Sequence, residues 1–131
     1  MRSRQKALCV AELANVKKAE GIVILDMRKL SNVTDFFIIM TSSSATRSQA
    51  IADNIKEGLF KAGEPISSIE GYNDTDWVLI DAHNVVVHIF NRTARLFYSL
   101  ESLWADARRV KLCQKNQKAT KKPLKKTLKR K

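Results

Sequence analysis

Apolar residues change their period several times along the chain, and each change marks an element. Over residues 4–20, Leu8, Val10, Leu13, Val16 and several alanines form a loose apolar stripe at helical spacing. This predicts a helix stopped at Gly21. "IVILDM" (22–27) is an apolar run of strand length, and "DFFIIMT" (35–41) is a second, rich in β-branched and aromatic side chains. Residues 28–34 between them read as a loop. The serines at 42–44 offer a helix cap, after which Ile51, Ile55 and Leu59 step by four towards Ala62, with Gly63 beyond. "PISSIE" (65–70) predicts a third strand whose leading proline suits a strand start or a sheet edge. Only His83 and Asn84 separate "WVLIDA" (77–82) from "VVVHIF" (85–90), which is the length of a tight hairpin. Residues 93–104, containing Leu96, Phe97, Leu100, Leu103 and Trp104, predict a final helix or helix pair.

The order α-β-β-α-β-β-β-α, with no internal repeat, predicts an α/β (α+β) domain with a mixed five-stranded sheet flanked by helices. Side chains alternate across a strand, so Val78 and Ile80 oppose Trp77 and Leu79, and Phe36 and Ile38 oppose Phe37 and Ile39. Both faces of such a sheet need cover. Three helices, one of them short, are expected to roof one face fully and the other only in part. The apolar surface left over is a candidate docking site.

Charge divides the chain in two. The formal net charge is +11, yet residues 108–131 carry twelve of the 24 Lys and Arg and no acid. Residues 1–107 are therefore expected to form a nearly neutral domain. Residues 108–131 are expected to be a disordered basic tail, too poor in apolar groups to offset its ordering entropy. Cations without aromatic platforms suit phosphate backbones with little sequence preference, so Arg108, Arg109, Lys111, Lys121, Lys122, Lys125 and Lys126 are candidate RNA contacts. A solvated tail that aids solubility is the alternative. No apolar run approaches the roughly 20 residues of a membrane helix, and no signal peptide is expected at the N-terminus. Cys9 and Cys113 stand far apart outside any Cys-x-x-Cys pattern, which suggests a reducing compartment and no zinc site.

Residues 73–90 hold Asp74, Asp76, Asp81 and both histidines, His83 and His88, the residue types of a metal or acid–base site. Alternation argues against convergence: His88 shares a face with Val86 and Phe90, whereas His83 sits at the hairpin tip. Asp74-x-Asp76 has the spacing of a magnesium pair but lies in a turn before the strand. "TSSSATRSQA" (41–50), with Arg47, has the placement of a phosphate cradle but no P-loop glycines, so a capped helix start is the simpler reading. No catalytic residue, cofactor or metal is expected.

Several segments resemble the ribosomal silencing factor family, also called Iojap. They are Ser31-x-x-Thr34-Asp35-Phe36, Glu70-Gly71 ahead of Asp76-Trp77, Val86-Val87-His88-Ile89, and Tyr98-x-Leu100-Glu101-x-Leu103-Trp104. The similarity spans about residues 5–107, and the basic tail departs from it. The resemblance implies a nucleotidyltransferase-like fold lacking the catalytic acids, and no enzymatic activity. It implies binding to the large ribosomal subunit through its ribosomal protein fourteen, which blocks the small subunit from joining and represses translation. It also implies a bacterial cytoplasmic location or an organellar one, no membrane, and a homodimer when free. A large-subunit biogenesis factor and a nucleotide-binding relic of the transferase fold remain open alternatives. Interfaces take most of their energy from a few aromatic and Arg residues. Trp77, Tyr98, Leu103 and Trp104 are therefore the candidate partner contacts, followed by Tyr72 and His88, with Glu70, Asp76 and Asp81 as acids facing a basic partner.

Overall fold

The computed structural model describes residues 1–73 and 76–110. Its elements run α1 (Ser3–Val16), β1 (Glu20–Asp26), β2 (Phe36–Ser42), α2 (Ala45–Lys61), β3 (Ser68–Glu70), β4 (Trp77–Asp81), β5 (Val85–Asn91), α3 (Arg92–Tyr98), α4 (Leu100–Leu103) and β6 (Arg108–Val110). The sheet is mixed and six-stranded, in the order β3-β4-β5-β2-β1-β6. Only β2 and β5 pair in parallel, and the other pairs are antiparallel.

Local chemistry accounts for most of the boundaries. Ser44 accepts a hydrogen bond from the Arg47 amide at 3.1 Å and so caps α2. Arg47 turns its guanidinium to the Lys17 carbonyl, 3.4 Å away, at the end of α1. At the β4–β5 turn, His83 takes φ +72° and its amide donates to Asp81 Oδ1 at 2.9 Å. Asp81 is therefore a turn residue. Asp76 likewise serves structure, accepting from Asn91 Nδ2 at 2.6 Å. Lys6, which is 2% exposed, anchors α1 to the hairpin through the Ala82 carbonyl at 2.7 Å and Asn84 Oδ1 at 3.1 Å.

Three boundaries differ from the sequence expectation. The first helix ends at Val16 rather than at Gly21, because Lys18 turns left-handed (φ +66°) and the chain enters β1 at Glu20. Gly21 instead sits at a register shift between β1 and β2, with φ +55°. The third strand is only three residues long. The sixth strand lies in the stretch assigned to the tail: Arg108 and Arg109 pair with Asp26 and Leu25, and Val110 enters the core at 8% exposure. The paired domain thus reaches Val110, three residues past the expected boundary at 107. Residues 111–131 and Asp74 lie outside the described residues.

The two faces are covered unequally. On one face α1 and α2 seal Ile24, Phe36, Ile38, Met40, Val78, Ile80, Val87 and Ile89 against Val10, Ala14, Ile51, Ile55 and Leu59. The other face holds Leu25, Ile39 and Phe90, and only the short α3–α4 pair lies over it. Val23, Phe37, Trp77, Leu79 and Val86 on that face stay half-buried.

Candidate docking surface

The second face is built from alternate residues of three adjacent strands. Phe37 of β2, His88 and Phe90 of β5, and Trp77 of β4 all project to it, since β2 pairs with β5 and β5 with β4 in continuous register. A helix break completes the surface. Asn91 caps α3 by accepting from the Ala94 amide at 2.7 Å, and Ser99 in the left-handed conformation (φ +45°) ends it after seven residues. The chain then restarts as α4, which brings Leu100 and Trp104 onto the sheet.

Arg95 holds the helix pair down. Its Nη1 donates to the Gly21 carbonyl at 2.6 Å and to Thr41 Oγ1 at 2.9 Å, while its Nη2 meets Glu101 of α4 at 2.6 Å. A Cβ on Gly21 would lie 2.9 Å from that Nη1, so the bare glycine admits the guanidinium. The hydrogen bond from Arg95 holds the Glu101 carboxyl below its ordinary value.

Seven rings meet here. Trp77 lies 4.6 Å from Tyr98 and 5.0 Å from Phe90, centroid to centroid; Phe37 contacts His88 at 4.8 Å and Trp104 at 6.1 Å; and Phe97 crosses Tyr98 edge-on at 5.0 Å. Trp77 Nε1 donates to His88 Nδ1 at 3.1 Å, which places the proton of the neutral imidazole on Nε2. That Nε2 is buried and has no hydrogen-bond partner among the described residues.

Burial lowers the His88 pKa to about 4. An unfolded chain protonates this histidine below about pH 6.5 while the folded one resists until about pH 4, so stability falls as pH drops through that window. We expect a loss of about 2 kcal/mol between pH 7 and pH 5, above the range where carboxylates titrate. Urea unfolding at both pH values measures it, and His88→Gln, which keeps an acceptor for the indole, should flatten the dependence.

The outer rim of this cluster is open. Leu96, Phe97 and Leu103 are 83%, 79% and 69% exposed, and Tyr98 is 45% exposed. Of the residues expected at a docking site, Trp77, Tyr98 and Trp104 come together here, with Leu103 beside them on α4. His88 does not reach the surface. At 4% exposure it supports the indole from beneath. Tyr72 belongs elsewhere: its hydroxyl donates to Asp53 of α2 at 3.0 Å and its ring packs against the first-face core. Arg108 and Arg109 are exposed on the edge strand β6. Leu96 and Phe97, expected only as apolar positions of the final helix, stand exposed on the same rim. The signal was present, because Leu96, Phe97 and Tyr98 are consecutive and successive helical positions turn by about 100°, so one face cannot bury all three.

Among the described residues no group of three or more His, Cys, Asp or Glu side chains converges as a metal site, and no helix is long and apolar enough to cross a membrane. The fold and this surface define a small α+β domain with one sheet face only partly roofed. The family model described as "ribosomal silencing factor during starvation" matches residues 1–131, so the match runs through the basic extension. The chain is 45% identical over 96 residues to the ribosomal silencing factor RsfS of Halalkalibacterium halodurans, covering 73% of this chain and 82% of that one. To RsfS of Bacillus subtilis it is 43% identical over 91 residues, covering 70% and 77%. A crystal structure of a Chromobacterium violaceum protein superposes with a TM-score of 0.78 at 31% identity, covering 80% of this chain and 88% of that one. The chain belongs to the ribosomal silencing factor family.

Proposed function

We propose that this protein binds the large ribosomal subunit, through ribosomal protein fourteen, and that its bulk keeps the small subunit from joining. Translation falls as a consequence. The observation that carries this reading is the open ring cluster bounded by Leu96, Phe97, Tyr98 and Leu103. An apolar surface of this kind, rimmed by polar groups, marks a partner site in a folded monomer. The relatives' name, ribosomal silencing factor, supplies the partner.

Trp77, Tyr98, Leu103 and Trp104 are the contacts proposed from sequence, and Leu96 and Phe97 join them from the structure. The basic extension adds contact with ribosomal RNA, through Arg108 and Arg109 and onward into Lys111, Lys121, Lys122, Lys125 and Lys126. The protein acts by occupancy rather than by catalysis, in the bacterial cytoplasm where subunits meet. Cross-linking the purified chain to isolated large subunits, followed by identification of the neighbour, tests the assignment. Ribosomal protein fourteen is the expected neighbour. Comigration with immature precursors, and not with mature free subunits, would support an assembly factor instead.

A further inference from the structure

We propose that the β6 edge of the folded domain is itself an RNA-backbone site, centred on Lys29 and Arg108. This rests on the RNA contact proposed for the tail and extends it into residues with defined positions. The β1–β2 loop and β6 enclose a cleft of about 510 Å³ lined by Asp26, Arg28, Lys29, Leu30, Asp106, Ala107 and Arg108.

The charges in this cleft are not equivalent. Asp26 is occupied by Arg28, whose Nη2 lies 2.6 Å from Oδ2 and whose Nε lies 2.9 Å from Oδ1. That contact holds the Asp26 carboxyl below its ordinary value. Arg28 is further fixed over the Phe36 ring, 5.1 Å from its centroid. The guanidinium is thus pre-positioned, and its acid partner is already neutralised. Lys29 and Arg108 are exposed and neither makes a direct ion pair among the described residues, while Arg108 adds at longer range to the field that holds Asp26 ionised. Arg108 stands opposite Asp26 in the β1–β6 register, so strand pairing brings the cation of the C-terminal stretch to the cations of the loop. Asp106 is the one acid of the cleft not paired with Arg28.

The sequence continues the positive charge beyond β6. Residues 111–131 follow β6 in sequence and carry ten more Lys and Arg and no acid. Such a series has no aromatic residue and its few apolar ones, Leu112, Leu124 and Leu128 among them, are scattered between cations, so its chemistry fits the regularly spaced phosphates of an RNA strand. The site lies at the sheet edge beyond β1 and borders the ring cluster through Ala107, which packs in the same buried cluster as Trp104. Its cations stand on the edge side of that border, so an RNA strand there would flank a protein seated on the rings.

The test uses the full chain and a mixed-sequence RNA hairpin, with affinity measured by fluorescence anisotropy from low to moderate salt. No ribosomal protein is present, so the outcome is independent of the docking reading. Lys29→Gln/Arg108→Gln removes two exposed cations and leaves the Asp26–Arg28 pair intact. It should weaken RNA binding about tenfold and lower the slope of log affinity against log salt by about 1.5. Lys29→Glu/Arg108→Glu should weaken it further. Binding to large subunits should fall less, because the ring cluster is untouched. Unchanged affinity and slope in both variants would overturn the proposal. So would tight binding to anionic vesicles without binding to the hairpin.

Discussion

Leu96→Ser/Phe97→Ser is expected to reduce affinity for isolated large subunits by about thirtyfold or more, the effect of losing one strong anchor. The expectation separates binding from folding. Both side chains are mostly exposed, so the folded domain loses almost no buried area and its urea midpoint should scarcely move. Trp77 and Tyr98 are less diagnostic, since each also packs on Phe90 and its truncation would disturb the sheet. Phe97 touches Tyr98 edge-on and otherwise faces out, so its removal reports on the partner. Sedimentation binding with labelled protein reads the affinity. An unchanged affinity at unchanged stability would move the contact away from α3.

The second large effect is on folding. Gly71→Ala should destabilise the domain by about 3 kcal/mol or more, from left-handed strain together with a backbone clash. Gly71 has φ +76°, and a Cβ there would run into the carbonyl oxygen of Trp77. The obstacle is main chain at the first residue of β4, which cannot rotate away as a side chain would. Relief requires β4 to shift, and Trp77 shifts with it, so its hydrogen bond to His88 lengthens. Urea unfolding followed by tryptophan fluorescence measures the cost. A loss of under about 0.5 kcal/mol would show that the turn accommodates a side chain.

The parts of the fold legible in the sequence are those where period and burial agree. Apolar runs in β1, β2, β4 and β5 are buried on one face and a mixture of buried and half-buried on the other, and their assigned faces hold strand by strand. The same reasoning anticipated a sheet covered unequally, because the helices were too few. What failed depended on contacts distant in sequence. Lys17 through Glu20 contain no helix breaker, and the end of α1 is set where Lys18 turns to lead the chain into the sheet. The β6 segment is mostly charge. A short charged edge strand is how sheets discourage further pairing, so its pattern reads as tail.

The candidate site was partly legible for related reasons. Aromatic side chains marked Trp77, Tyr98 and Trp104. Tyr72 looked equivalent in composition, but Asp53 on α2 draws it to the other side of the sheet. Leu96 and Phe97 are legible only as apolar positions of the final helix; that α3 stops at Ser99, in a left-handed backbone, has no local signal.

The measurement closest to the central claim is subunit joining in the presence of saturating protein, followed by light scattering. If the open ring face seats this domain where the small subunit lands, mixed subunits should remain apart, and the Leu96→Ser/Phe97→Ser variant should restore joining at the same concentration. Normal joining with wild-type protein demonstrably bound to every large subunit would contradict the account.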